Sequence, residues 1–536
     1  SAAGTIVIPE TVEKIDDYAF SGNDKIICII FTHGDVELGH QIFKDSHVEE
    51  VNFLTKDIPG TNSDTFSQAD SLKAINVSIN YYELYDDKWK NEIDQASFAL
   101  LSETDSSFQT KNGFEYLEMY YRDRSHATIL LNAPTNLIQF DENSIPGVTI
   151  TEIGQHAFSE CKNLKHVKLS KHINQIDSYA FYGCEALESI FSENTDSITI
   201  QENALEITDS WLFDLRYMAF NAKKAIFEND YLPSVTKQIY IPFDGEGYNG
   251  GNTYSGAYFI DESYGGEILY GYARGTDQNG NTVTVEDEFY LINATTDVQG
   301  DVATKEGTFE ICTSAFEDVP ITSVQFNMTD DMYWIDDYAF YGTNLTGELV
   351  LPDGLGPIGQ VAFYGSNISK VIFPKTYGND TDYPACLWTN TFGGDESLSE
   401  IVFQNATPIE LFYNKFTEYT FGDMASEDFH ITLIGAAKGL EQKYIDAWKY
   451  RFIACENNDP SVNEEKLNQS VKKIAGLLGY TLPETGTQPD DNQEVVPDVE
   501  KAPEDNQQEV NDEDQNDQQD ENKQEALENE VDENDN

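Results

Sequence analysis

A chain of 536 residues, 39% hydrophobic and 12% aromatic, has the apolar material for a sizeable core and the length for several domains. Its 96 acidic residues against 32 basic ones leave a net charge of -64, which repels phosphate backbones and anionic lipid, so nucleic-acid binding is excluded as a function. With no apolar run of bilayer length, no membrane insertion is expected either; cationic partners, divalent cations and neutral glycans stay open.

The chain starts with Ser1-Ala2-Ala3-Gly4 and runs at once into "TIVIPETV". This has no signal-peptide pattern and reads as a processed or truncated start. A repeat follows: "IDDYAF" stands at 15–20 and again at 335–340, with "IDSYAF" at 176–181. Its final Phe recurs at Phe20, Phe43 and Phe66, then Phe158 and Phe181, then Phe316, Phe340, Phe363, Phe392 and Phe421, mostly in steps of 23 residues. Such a period predicts a solenoid.

The first array spans 1–94 and closes on "SINYYELYDDKWKNEI", where Tyr85 and Trp89 lie on one helical face and can cover the open end of the coils. Residues 95–113 are polar and rich in Ser and Thr, and read as a linker. "FEYLEMYYRDRSHATILL" then alternates like strands into a second array, 114–195. Its clearest coil, 161–183, shows the physics. Val167 and Leu169 share one strand face, and Ile173, Ile176, Ala180 and Phe181 complete an apolar set that only stacked coils can bury.

Residues 196–305 break the period and read as an irregular β-rich segment or insertion, with a hairpin turn at Asn279-Gly280. A third array, 306–458, closes on a second Tyr/Trp pair, Tyr444 and Trp448. In 459–480, Ser461 to Glu464 form a capping box, Leu467, Val471, Ile474 and Leu478 follow at helical spacing, and Gly479 can end the helix. The remainder, 481–536, reads as a disordered acidic tail, with twenty acids and two lysines in its last 49 residues.

The coil pattern resembles the BspA-like class of leucine-rich repeats, I-x-x-I-x-x-x-A-F-x-x-C-x-x-L-x-x-I-x-L-P. The resemblance rests on Ile173, Ile176, Ala180, Phe181, Cys184, Leu187 and Ile190 in one coil, and on Ile335, Ala339, Phe340, Leu345, Leu349, Leu351 and Pro352 in another. The Cys position departs elsewhere to Asn23, Thr343 and Ser366. The implied fold is a mainly β solenoid of leucine-rich repeats of about 23 residues in two or more arrays, with short helical caps. The implied role is that of a bacterial surface protein that engages host matrix proteins, host cells or other bacteria.

Several motifs suggest chemistry. Gly245-Glu246-Gly247-Tyr248-Asn249-Gly250 has the dinucleotide spacing, but no helix follows it, so a flexible loop is the better reading. His33, His40 and His47 are seven apart and fall at different points around a coil, which makes them surface residues rather than metal ligands. Asp277, Asn279, Asn281 and Glu288 match four calcium-loop positions, but Thr282 replaces the required Gly. Among the six cysteines, Cys161 and Cys184 lie one coil apart, within reach of a disulfide, while the family's buried ladder favours free thiols. No catalytic, cofactor or metal site is expected.

What remains is the outward face of the strands, including Glu50, Lys73 and Thr322. The residues expected to bind a ligand there are Asn52, Asn76, His166, Lys168, Gln325, Lys370 and Ile372. The expected function is non-enzymatic binding of a host or bacterial surface protein or glycan; the alternatives are a structural spacer and a glycan-active 196–305 segment. "LPETG" at 482–486 resembles a sortase signal, yet acidic residues follow where an apolar segment and basic tail are needed. It supports an extracellular or cell-surface location only weakly.

Overall fold

Two residues in the left-handed region frame nearly every described Phe of the repeat, Phe66 having only the second of them, Gln68. Two positions before it stand Tyr18, His156, Tyr179 and Tyr338, with φ of 62°, 59°, 59° and 59°; two positions after it stand glycines such as Gly183 (79°), or Glu160 (61°) and Asp318 (56°). These are conformations that side chains larger than Gly adopt at a cost, and the stack holds them. Corners hydrogen-bond to the next coil, as in Phe158 N–H to Ala180 O at 2.8 Å and Phe340 N–H to Ala362 O at 2.7 Å. The rings they place inside stack as ladders: Phe158 on Phe181 at 5.3 Å, and Phe340 on Phe363 at 4.9 Å, each pair within 4° of parallel.

The computed structural model describes residues 5–9, 11–121, 125–201, 203–204, 215–227, 239–241, 257–276, 282–327, 334–376, 386–388, 390–394, 397–411, 428–450 and 464–483. Ser1–Leu482 form one unit and Pro483–Asn536 a second, in which only Pro483 is described. The Gly245–Gly250 loop, the Asn279-Gly280 turn, the capping residues before Glu464, Phe421, Cys455, most of "LPETG" and the acidic tail lie outside the described residues.

The first array is a five-stranded parallel sheet of Thr5–Ile8, Cys28–Phe31, Glu50–Phe53, Ala74–Ser78 and Leu101–Thr104. Residues 95–113 therefore do not form a linker. Gln95–Phe98 is a helix, Leu101–Thr104 is the last strand of the first sheet, and Ser107–Lys111 begins the next array. Polar side chains hid these strands because few of their residues face a core.

The second array has two sheets. One is parallel: Gln139–Phe140, His166–Leu169, Ser189–Ser192, Tyr217–Phe220 and Ile239–Tyr240. The other joins the antiparallel strands Ser107–Lys111, Phe114–Tyr120 and His126–Asn132 to Glu152–Ile153, Gln175–Ile176, Ser197–Ile200 and Lys224–Phe227 in parallel. The coils thus continue past 195 into the segment expected to be irregular, although the Phe spacing stops.

The third array repeats this plan. Tyr258–Asp261, Ile268–Thr276 and Thr282–Ala294 are antiparallel, and Thr308–Ile311 and Trp334–Ile335 extend their sheet in parallel. Opposite lie the pair Gly300–Ala303 and Ile321–Gln325, and the four strands Thr346–Val350, Asn367–Ile372, Glu400–Phe403 and His430–Leu433. The 277–288 stretch is flanked by paired strands rather than by the helices of a calcium hand.

Two short helices close coil stacks with the same pair of residues. On Tyr82–Trp89, Tyr85 donates to Thr55 O at 3.1 Å and Trp89 packs edge-on against Phe53 at 5.1 Å. On Glu441–Trp448, Tyr444 donates to Asn405 O at 2.5 Å and Trp448 packs against Phe403 at 5.3 Å. The helix Glu464–Leu477 follows and ends in a Schellman turn: Tyr480 N–H donates to Ala475 O at 2.8 Å and Gly479 N–H to Gly476 O at 3.1 Å. Leu482, first residue of "LPETG", packs against the third core rather than standing free.

Cys161 and Cys184 are buried free thiols. The Cys184 thiol donates to Phe158 O of the preceding coil at 3.1 Å, whereas the Ser46 and Thr343 hydroxyls, at the same repeat position, donate to Phe43 O and Phe340 O of their own coils. Ser and Thr are accommodated at this position because each hydroxyl finds a carbonyl.

Candidate binding faces

Side chains alternate along each strand, so an inner row fills the core and the outer rows point away from it. In the first array the outer side chains Cys28, Ile30 and Leu54 pack against Leu117, Met119, Ala127 and Ile129 of the strands that begin the second array. The other face of those strands, with Phe114, Tyr116 and Leu130, belongs to the second core. Asn52 is consequently 0% exposed and Asn76 8%. Both were expected on an open face; both lie in an inter-array junction because the hairpin's alternating residues serve two cores. Burial, with Glu50 beside it, pushes the Cys28 thiol up to about 12, so it is an inert packing group.

Beside this junction a cleft of about 660 Å³ is lined by Glu49, Glu50 and Lys73 of the first array and by Tyr121, His126 and Glu152 of the second. Lys73 pairs with Glu49 at 2.6 Å. Burial, then the charge of Asp177, pushes the Glu152 carboxyl up to about 7.

The outer face of the second array is covered in the same way. Phe191, Tyr217, Ala219 and Tyr240 pack against Tyr258, Leu269, Ile292 and Cys312 of the third array. A polar cluster locks this junction. Lys165 Nζ lies 2.6 Å from Asp297 Oδ1, and His166 Nε2 lies 3.2 Å from Asp297 Oδ2. Glu188 accepts from Thr296 N–H and from its hydroxyl, each at 2.7 Å. Burial pushes the Asp297 carboxyl up, but the hydrogen bonds from Lys165 and His166 outweigh it and hold the group below its ordinary value. His166, expected to meet a ligand, meets the next array; Lys168 stands 3.6 Å from Glu193, just past the end of the neighbouring strand Ser189–Ser192.

Ser189, His166 and Asp297 form a chain of contacts with the order of a hydrolytic triad, His166 Nδ1 lying 3.0 Å from Ser189 Oγ. The chemistry does not follow. Ser189 is 0% exposed, and its hydroxyl proton is committed to Glu267 Oε2 at 2.5 Å, an acceptor it shares with the Tyr217 hydroxyl at 2.7 Å. His33, His40 and His47 do not converge: they reach Val12 O, Asp64 and Asp24 O respectively. Among the described residues no group of three His, Cys, Asp or Glu side chains could hold a metal ion, and no helix is long and apolar enough to cross a membrane.

The third array differs. Registers align Glu348, Lys370, Glu400 and His430 in one outer row and Val350, Ile372, Val402 and Thr432 in another. No covering sheet packs on these rows among the described residues, and Val350 is 53% exposed, while Val402 at the far side is buried. Lys370 Nζ stands 3.5 Å from Glu348 and 3.3 Å from Glu400; the hydrogen bond to Glu400 raises its basicity. The Thr432 hydroxyl donates to Glu400 at 2.7 Å, and this bond, with Lys370, holds the Glu400 carboxyl down. Beside these rows, Thr322, Ser323 and Gln325 are exposed, and the first two hydroxyls donate to Asp301 Oδ1 at 3.0 and 2.8 Å.

Of the seven expected ligand-binding residues, the structure brings only Gln325, Lys370 and Ile372 to one open face. Val350, Glu348 and Glu400 join them and were not singled out, although aligning the coils through Val371 and Ile401 would have found them. Asp297 and Glu267 carried no such signal, since they come from a segment without the repeat.

Stacked parallel strands, Ala-Phe corners and helical end caps define a leucine-rich repeat solenoid. The sequence matches the BspA type leucine-rich repeat region in six copies, over residues 2–112, 131–239 and 309–431, which is more than half of the chain. The chain belongs to this family. Solved structures similar to it include a leucine-rich repeat protein from Bacteroides ovatus ATCC 8483, at 17% identity over 80% of this chain and 92% of that one, with a TM-score of 0.25. The pneumococcal vaccine antigen PcpA is similar at 16% identity over 64% and 96%, with a TM-score of 0.24. A leucine-rich cell surface protein from Faecalibacterium prausnitzii A2-165 is similar at 12% identity over 67% and 96%, with a TM-score of 0.20. No curated protein matches the sequence.

Proposed function

We propose that this chain is a non-enzymatic, adhesin-like binding protein of the bacterial cell surface. It engages a host matrix protein, a host cell or another bacterium through the outer face of its third array. The carrying observation is the contrast between faces: the first two are covered by the strands that begin the following array, whereas Gln325, Val350, Lys370 and Ile372 have no such cover among the described residues. Membership in the BspA type family supports a surface location and a binding role. The buried Ser189 cluster supports a structural rather than a catalytic use of its polar groups.

The test is a binding panel of matrix proteins, glycans and intact bacteria against the full chain. A specific partner should lose roughly tenfold or more in affinity with Ile372→Asp or Lys370→Glu, as residues central to an interface do. Lys168→Glu, on the second face, should leave binding unchanged. A partner indifferent to the third-face variants, or no partner across the panel, would count against this function.

A further inference from the structure

The two covered faces show what kind of surface this chain's repeat sheets accept. Each is overlaid by antiparallel strands whose alternate residues reach down onto it: Leu117 and Met119 over the first face, Leu269 and Ile292 over the second. These are sheet-on-sheet packings, in which side chains of two flat layers interdigitate across about 10 Å. The third face offers the same relief. Val350 and Ile372 are β-branched and lie side by side in register on a pleated sheet, the kind of surface that a second sheet packs against.

Charge decides what can lie there. At the second junction Lys165 and His166 of the face meet Asp297 and Glu267 of the covering array, while Glu188 of the face accepts from Thr296. On the third face Glu348 and Glu400 flank Lys370, whose charge is already shared between them; His430 lies 3.8 Å from Glu400, and Asp301 stands on the neighbouring strand pair. This chain's own antiparallel strands cannot complement these carboxylates. In those strands the six acids Glu115, Glu118, Asp261, Glu286, Asp287 and Glu288 outnumber Lys111 and Arg274, and the acidic tail holds twenty acids and two lysines in its last 49 residues.

From these observations we infer that the third face, the binding surface proposed above, takes an antiparallel β-sheet of a different protein, one that carries basic side chains around a small apolar patch. The inference rests on that proposal for its location but adds the shape and sign of the partner. The chain's net charge of -64 draws such a partner in from a distance, so association should be fast and salt-sensitive.

The test needs no natural partner. Two display libraries of equal diversity, one on a three-stranded antiparallel sheet with one face randomised and one on a three-helix scaffold, are selected against the full chain. Binders are then sorted by loss of binding to Val350→Asp, an exposed position, with Ile372→Asp as a second variant and circular dichroism to confirm the fold. The expected result is that clones losing tenfold or more with both variants come from the sheet library, carry Lys or Arg beside apolar residues, and weaken steeply as salt rises. Face-dependent binders drawn mainly from the helical library, or lacking basic residues, would overturn it. So would an oligosaccharide array whose binding is lost with Ile372→Asp. Failure of the natural panel with success here would remove the adhesin reading and leave the shape and sign of the face standing; the converse would remove this inference alone.

Discussion

The Asn76 side-chain amide donates to Asn52 Oδ1 at 3.1 Å, one coil away, on a face that the next array covers. The chain of bonds continues at both ends: Asn52 donates to Cys28 Sγ at 3.2 Å, and the Ser102 hydroxyl donates to Asn76 Oδ1 at 2.7 Å. A polar ladder thus runs through an otherwise apolar junction. Its members are satisfied by each other, which is what makes their burial tolerable.

Asn52→Ala should therefore destabilise the chain by about 1–3 kcal/mol, because it strands the Asn76 amide inside the junction. Asn52→Leu combined with Asn76→Leu should cost less than the sum of the single changes, since removing both partners leaves fewer orphans. Urea unfolding of the single and double variants measures the coupling.

The caps offer an internal comparison. Trp448 Nε1 donates to Ile409 O at 2.8 Å, whereas the Trp89 indole nitrogen is buried without a partner. Replacing either Trp with Ala should cost about 3–5 kcal/mol through the cavity left beside Phe53 or Phe403. Trp448→Phe should cost about 1 kcal/mol more than Trp89→Phe, because only the former breaks a bond. Equal costs for the two Phe variants would show that the bond to Ile409 contributes nothing.

Two glutamates give the pH dependence a definite sign. Glu152 and Glu310 stand at the same place in the second and third arrays, each one residue before a core isoleucine, and burial pushes both carboxyls from 4.5 up to about 7. Asp177 adds to the shift of Glu152 and Asp336 to that of Glu310. A raised carboxyl binds more protons folded than unfolded, so its contribution favours folding at low pH and is lost as pH rises from about 4.5 to about 7. Glu152→Gln and Glu310→Gln should each raise stability at pH 8 by about 1–3 kcal/mol and flatten the slope between those limits. Melting curves at pH 4.5, 6 and 8 check this; a Gln variant less stable than the parent at pH 8 would contradict it.

Glycine replacement should act in opposite directions at two sites. A Cβ at Gly359 would stand 2.4 Å from Asp337 N and 2.5 Å from Asp336 C, both backbone atoms of the coil below, so Gly359→Ala should destabilise by about 1–3 kcal/mol. At Gly476, in the helix Glu464–Leu477, a Cβ meets nothing within 4 Å, and Gly476→Ala should stabilise by about 0.5–1 kcal/mol. Denaturation midpoints of the two variants suffice.

How far could the chain be read without its structure? The coil was legible because its physics is local and repeated. Ile173, Ile176, Ala180 and Phe181 must recur at one spacing for stacked coils to share a core, and that recurrence is visible in letters. The caps were legible for the same reason, since Tyr85/Trp89 and Tyr444/Trp448 repeat a spacing. The strands in 95–113 and 196–240 were not, because Leu101–Thr104 and Tyr217–Phe220 pair with neighbours without repeating the Phe corner.

The sequence by itself determined the solenoid, its corners and its closing helices, each set by short-range spacing of apolar side chains. It also placed Asn52, His166 and Lys370 on outward strand faces. Only the tertiary structure decided which outward faces stay outward. That depends on where the antiparallel strands at the start of each later array come to rest, a contact between residues as far apart as Lys165 and Asp297. Alternation tells a side chain which side of its strand it leaves; it carries no information about what arrives to cover that side. Asn52 and Ile372 stand at equivalent positions in similar coils, each between two core residues, yet Asn52 lies inside a junction while Ile372 has no covering sheet among the described residues.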